Sequence, residues 1–420
     1  MDKESPKLLM NVRPPASLGS LLRIASLVLI IVVLISASIR ASPTLPLATN
    51  THSITTSDTM SYTSGQMPWL KVSGSKILDR NNNTFIMKGV NYWLGADRID
   101  LDFGWFGYAP IDWTNFFTIL KNSGFNSVRF GVAADNLLEP IQGSSNYLTN
   151  IQTITQIAYD LDIVVLWELH VLLNLDAQYH YPGGYTKTGG TSSGNPFLPE
   201  SADATVIPDA QTFINALIVL ANTIKDYPNT CLEIYNEPSF GVPLDQTSYD
   251  NYFANLPSAI QTVRGTGFDG LIFIMGGMAF LPGWAASPEM TMAWAIDHSS
   301  LFDGTVVADL HIYRYFTGAS SFPDDYDQMR NLFLNNGKIA QAKQLNIPII
   351  FGEIGVMADG GNVLVETNAV INLIQFCVEQ ELGFVLHSPC DFDDFRLFSS
   401  MSLFQWNSIG VTLAAAVSSL

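Results

Sequence analysis

Cysteine and positive charge are what this chain has least of. Only three cysteines (Cys231, Cys377 and Cys390) occur in 420 residues. They lack the paired spacing of a metal centre and are too few for a disulfide scaffold, so at most one bridge is available. Lysine and arginine number 20 against 38 aspartates and glutamates, a formal balance of −18. Phosphate backbones are bound through clustered cations, so this deficit argues against nucleic acid as a partner. Charged residues of both signs make up only 14% of the chain, which suits a protein working outside the cytoplasm. No glycine-rich phosphate loop follows the first strand pattern, which counts against a dinucleotide-binding sheet. No internal repeat is evident. What is present is apolar material, 47% of residues, enough for a sizeable core and incompatible with wholesale disorder.

The one long apolar run is IASLVLIIVVLISASI (24–39), preceded by Lys3, Lys7, Arg13 and Arg23. That polarity implies an export signal or an uncleaved anchor over residues 1–41, with the body of the chain translocated. Residues 42–66 are rich in Ser, Thr and Pro and read as a flexible tether. A single N-glycosylation sequon, Asn82-Asn83-Thr84, lies in a turn-like stretch. The expected location is extracellular, either secreted or held at the outer face of the membrane, with membrane contact only through the N-terminal segment. A monomer is expected.

From residue 67 to 420 short apolar runs alternate with helical patterns. Strands are predicted at 86–92, 126–132, 163–170, 232–238, 271–277, 305–313, 347–355 and 383–389. Amphipathic stretches at 113–124, 210–227 and 365–380 fall between them. Strands apolar on both faces that alternate with helices imply a parallel sheet covered by helices. Eight such units, most starting about 35 to 42 residues apart, fit an α/β fold of the (β/α)8 TIM-barrel type in one catalytic domain.

In such a barrel the site forms where strands end. The second predicted strand carries Arg129, the third ends on His170, and the fourth ends on Asn236 and Glu237. The sixth ends on His311 and Tyr313, the seventh on Glu353, and the eighth on His387. Singly, a strand-end glutamate is more often an ion-pair partner than a catalyst, and a strand histidine is usually a hydrogen-bonded core residue. Together they converge on one face. Two carboxylates facing each other across a barrel mouth are the minimal equipment for glycoside cleavage: one donates a proton to the leaving oxygen, the other attacks carbon or activates water. This chemistry needs no metal and no cofactor. Arg129 is expected to keep Glu353 ionised, with Tyr313 donating to the same carboxylate. Asn236, His170 and His311 are expected to bind sugar or tune the acid. Aromatic residues that could carry sugar rings are Tyr92, Trp93, Trp105, Phe106, Tyr179 and Tyr181.

YNEP (235–238), FGEIG (351–355), VRF (128–130), HIY (311–313) and GVN (89–91) together resemble glycoside hydrolase family 5, the cellulase and mannanase family of retaining (β/α)8 enzymes. The resemblance runs from about residue 67 to the C-terminus. It implies that Glu237 is the acid/base and Glu353 the nucleophile, with Arg129, His170, Asn236, His311, Tyr313, Trp93 and His387 in the substrate site. The substrate implied is a β-1,4-linked polysaccharide cut internally, β-glucan ahead of mannan. One departure is plain. The family usually has Trp at the end of strand eight, and this chain has His387, leaving Trp406 or a Phe within 392–398 to substitute. A metal-dependent hydrolase using His170, His311 and His387 is the first rival, and a non-catalytic carbohydrate-binding barrel the second.

Overall fold

The computed structural model describes residues 68–92, 111–138, 146–171, 195–197, 210–238, 240, 245–276, 292–314, 322–358, 362–390, 395–400 and 403–420. The expected export segment and tether, Trp93, Trp105, Phe106, Tyr179 and Tyr181 lie outside these residues.

A hairpin of β1 (Leu70–Ser73) and β2 (Lys76–Asp79) precedes the eight strands of a closed parallel barrel. These are β3 (Lys88–Tyr92), β4 (Ser127–Ala133), β5 (Val164–Val171), β6 (Thr230–Glu233), β7 (Ile272–Met275), β8 (Val306–Tyr313), β9 (Ile349–Gly355) and β10 (Gly383–His387). They pair in chain order, and β10 closes on β3 through His387 opposite Asn91. Each predicted strand is thus present, with its ends moved by a few residues. The largest change is at the fourth: pairing stops at Glu233, and Asn236 and Glu237 stand beyond the ladder.

Helices cover the barrel because their apolar faces have the right period. In α1 (Trp113–Asn122) the buried set Trp113, Phe116, Phe117 and Leu120 repeats at three and four residues, and Asp112 caps the N-terminus by accepting from the Asn115 amide. The helices α2 (Tyr147–Asp160), α3 (Ala210–Ile224), α4 (Gln246–Gly265), α5 (Val363–Gln380) and α6 (Ser408–Ser418) continue this outer layer. Tyr92, expected above as a sugar platform, is fully buried and packs edge-on against Trp113 and Phe116. It belongs to the seam between barrel and helix.

Strand alternation sorts side chains into two cores. Val128, Phe130, Val165, Trp167, Leu232 and Ile234 face the helices. Leu166, Cys231, Phe273, Val307, Ile350 and Val385 fill the barrel interior, and Leu70 and Ile77 of the hairpin close its lower end. All three cysteines are buried, and none forms a disulfide. Asn82 of the sequon is exposed on the turn after β2. Among the described residues no helix is long and apolar enough to cross a membrane.

Candidate active site

Above the apolar interior, the same inward positions become polar. Arg129 has no solvent exposure, and all five of its N–H groups are engaged. Nε donates to Glu233 Oε2 at 2.7 Å and Nη2 to Glu233 Oε1 at 3.1 Å. Nη1 donates to Glu168 Oε1 at 2.9 Å and to Glu353 Oε1 at 2.7 Å, and Nη2 also reaches Asn236 Oδ1 at 2.9 Å. The planar guanidinium fork suits this many carboxylates at fixed angles. Arg129 therefore stands behind Glu353 with no donor left over for a sugar, a more interior place than the substrate wall expected for it.

Three donors surround Glu353. Besides Arg129, Asn91 Nδ2 donates at 2.6 Å to Oε1, and the Tyr313 hydroxyl donates to Oε2 through a short bond. Burial alone would raise its pKa, but His311, His387, Arg129 and His170 outweigh that and hold the carboxyl well below the usual range. Glu353 is thus anionic at the barrel mouth.

Glu237 sits on a different kind of backbone. It lies past the end of β6 with a φ of 42°, left-handed and strained for a side-chain-bearing residue, immediately before Pro238. Its Oε1 is 2.8 Å from His311 Nδ1, and that same nitrogen is 3.6 Å from Glu353 Oε2. The Glu237, His311 and Glu353 ligand atoms all fall within 4.8 Å of one another. Burial would lower the His311 pKa, but Glu353 and the hydrogen bond to Glu237 lift it to about 9. His170 reaches about 9 in the same way: Glu168, 2.8 Å from its Nδ1, overcomes burial.

His387 ends β10 in register with Asn91 and Gly355, so the strand has not slipped. Its Nδ1 is 3.0 Å from Asn91 Nδ2 and 3.7 Å from Glu353 Oε2. Asn91 points its amide nitrogen at the anionic Glu353, which turns its second hydrogen toward His387 Nδ1, an acceptor whenever that ring is neutral. Phe395 lies beside His387, ring centres 6.0 Å apart, and contacts Tyr313 at 4.7 Å. Trp406 is elsewhere: it stacks on Phe125, two residues ahead of β4, and meets Phe398 edge-on. Among the described residues, Phe395 is the one of the aromatics considered as substitutes for the missing Trp that is placed at the mouth, and Phe392 lies outside them.

Sequence reasoning passed over Asn91, Glu168, Glu233 and Asp309. The signal was available in part. Glu168, Glu233 and Asp309 are lone carboxylates inside apolar strands, and Glu168 and Asp309 sit two residues before His170 and His311 on the same strand face. Metal-type groupings among the described residues are Glu168–His170–Glu353, Glu233–Asp309–His311 and Glu237–His311–Glu353. Each holds one histidine, so the set of His170, His311 and His387 imagined for a metal enzyme is not gathered around one point.

The sequence matches the family model described as Cellulase (glycosyl hydrolase family 5) over residues 78–392. The chain belongs to glycoside hydrolase family 5. It is a glycoside hydrolase of that family. Among solved structures, an endocellulase from Pyrococcus horikoshii has a TM-score of 0.61 at 16% identity, covering 84% of this chain and 100% of that one. A β-glucanase from Saccharophagus degradans has a TM-score of 0.62 at 15% identity, with coverage of 84% and 94%. A mannanase from Streptomyces sp. SirexAA-E has a TM-score of 0.55 at 17% identity, with coverage of 87% and 95%. At these identities the likeness is one of fold. No curated protein matches the chain in sequence.

Proposed function

We propose that this family 5 enzyme cleaves β-1,4-linked polysaccharide internally by double displacement with retention, and that β-glucan is its preferred polymer over mannan. Glu353 is the nucleophile and Glu237 the acid/base. The observation that carries this reading is the closeness of the two carboxylates, with oxygens within 4.8 Å of each other. Retaining enzymes hold their carboxyls about 5–5.5 Å apart, and inverting ones leave about 6.5–9.5 Å for a water. In the first step Glu353, kept anionic by Arg129, Asn91 and Tyr313, attacks the anomeric carbon while Glu237 gives its proton to the leaving oxygen. In the second, Glu237 takes a proton from water, which releases the sugar from Glu353. Asn236, His170, His311 and His387 line the region where the sugar sits.

Both endocellulases and mannanases occur among the structural neighbours. The preference for glucan is slight: the His170 strand end resembles that of the family's cellulases, whereas GVNYWL (89–94) resembles the first-strand segment of its mannanases. The enzyme acts outside the cell as a monomer, exported through residues 1–41 and either secreted or held at the outer face of the membrane, with 42–66 as a flexible tether. The support for this is the basic-flanked apolar run and the Ser/Thr/Pro-rich composition.

The test is a reducing-sugar assay on carboxymethyl cellulose, mannan, xylan and mixed-linkage glucan, with proton NMR of the first product. Release from a β-glucan with the β-anomer appearing first is expected. An initial α-anomer would refute retention, and release from mannan alone would refute the preference for glucan.

A further inference from the structure

Glu353 faces the barrel interior only because β9 carries one extra residue. Against β8 the register runs Leu310 opposite Phe351 and then His311 opposite Glu353. Against β10 it runs Phe384 opposite Phe351 and then Leu386 opposite Ile354. Both neighbours thus skip a residue between Phe351 and Ile354. The burial pattern agrees: Ile350 is in the interior cluster, whereas Phe351 and Ile354 both face the helices. Regular alternation from Ile350 would send positions 352 and 354 inward and turn Glu353 out toward the helices. A bulge at Gly352 reverses that, as bulges beside active sites can.

The bulged amide has a specific partner. Gly352 N–H donates to Asp309 Oδ1 at 2.7 Å, across from the neighbouring strand. Asp309 is completely buried. Its carboxyl lies so tightly over Gly352 that a Cβ there would come within 2.0 Å of Oδ2 and 2.2 Å of Oδ1. Oδ2 has no hydrogen-bond partner among the described residues, standing 3.9 Å from Arg129 Nε and 4.0 Å from His311 Nε2. Burial, then the neighbouring Glu233, push the Asp309 pKa well up, against the opposing pull of His311 and Arg129. A buried carboxyl with a single hydrogen bond is expensive for stability alone, so its retention beside the bulge calls for another reason.

We propose that Asp309 is a positioning residue that holds the Gly352 bulge and thereby aims Glu353 at the reacting carbon. This rests on the reading of Glu353 as nucleophile. Asp309 touches no substrate; it sets the backbone from which the nucleophile projects. A nucleophile displaced by about 1 Å can lose on the order of 100-fold in rate. The effect falls on the bond-making step and leaves sugar binding largely intact.

The experiment compares Asp309→Ala, Asp309→Asn and Gly352→Ala with the wild type. It reads kcat and KM on 2,4-dinitrophenyl β-cellobioside and β-mannobioside, the rate of inactivation by the matching 2-deoxy-2-fluoro glycosides, the labelled peptide and the Tm. In Asp309→Ala, kcat and the inactivation rate are expected to fall at least about tenfold with KM within about threefold. Asp309→Asn keeps an acceptor for the Gly352 amide and should stay within about threefold of wild type. Should Asp309→Ala fail to fold, Gly352→Ala carries the test, because its methyl presses on the same carboxyl and should lower kcat alike. Unchanged kcat in a folded Asp309→Ala or Gly352→Ala enzyme overturns the proposal, as does equal loss in the Asn and Ala variants. Wild-type label on Glu353 with an unaltered inactivation rate in Asp309→Ala overturns the positioning role alone. Label on a different residue overturns the nucleophile reading together with it.

Discussion

Glu237 and Glu353 reach the same imidazole nitrogen: His311 Nδ1 lies 2.8 Å from an oxygen of the first and 3.6 Å from an oxygen of the second. The two come from different backbone settings, a strained turn beyond β6 and a bulge in β9. Their surroundings also differ. The Glu353 side chain is 5% exposed and ringed by Arg129, Asn91 and Tyr313, whereas the Glu237 side chain is 19% exposed. One carboxylate is locked as an anion and the other remains open to water, the division of labour that retaining cleavage requires.

Glu353→Ala and Glu237→Ala should each lower turnover on polysaccharide by about 10³-fold or more while the barrel stays folded. Added azide should restore part of the rate in both variants, giving an α-glycosyl azide from Glu353→Ala and a β-glycosyl azide from Glu237→Ala. Near-normal activity in either variant, with folding confirmed by circular dichroism, would remove that residue from the mechanism.

Stability should fall as pH rises from about 6.5 to about 9. The folded-state pKa values of His170 and His311 are raised from 6.5 to about 9. Each protonated ring therefore stabilises the fold fully below about 6.5 and loses that contribution as pH rises through 9. Glu353 runs the other way: its depressed pKa gives a contribution that is full above 4.5 and disappears only in strong acid. Calorimetry at pH 6 and pH 9.5 should show a lower Tm at the higher pH. The gap should shrink in His170→Gln and His311→Gln, and a gap unaltered in both would contradict the assignment.

Arg129→Met leaves Glu168, Glu233 and Glu353 without their shared cation. Removing one partner of a buried ion pair costs about 3–5 kcal/mol, so urea unfolding should show a loss of this order or no folded protein. Arg129→Lys keeps the charge but not the fork, and should recover only part of the loss. A fully stable Arg129→Met enzyme would mean that the carboxylates have taken up protons at little cost.

His387→Ala should lower kcat/KM by about five- to tenfold, because the second Asn91 hydrogen loses its acceptor and a buried hydrogen bond is worth about 1 kcal/mol. His387→Gln, which offers an acceptor again, should recover part of that activity. His387→Trp restores the aromatic residue usual in the family. If Phe395 already fills that role, the Trp variant should bind cello-oligosaccharides no more tightly than wild type, as measured by KM.

Much of this protein could be read before any coordinates, for a physical reason: period and residue type are local properties. Apolar strands alternating with amphipathic helices specify a covered parallel barrel, and the polar residue ending each strand can only emerge at one rim. Glu237, Glu353, His170, His311, Tyr313 and His387 were legible in that way, and Arg129 as a lone cation inside an apolar strand. The buried carboxylates Glu168, Glu233 and Asp309 were not, since what they compensate is contributed by other strands: Arg129 lies 104 residues from Glu233 and 224 from Glu353. Nor could strand periodicity say that Glu353 faces inward. On strict alternation it points to the helices, and only the bulge at Gly352, clasped by a carboxyl from the next strand, turns it to meet Glu237. Local pattern determined the barrel and the residues at its rim; contacts between distant strands decided which way the decisive side chain points.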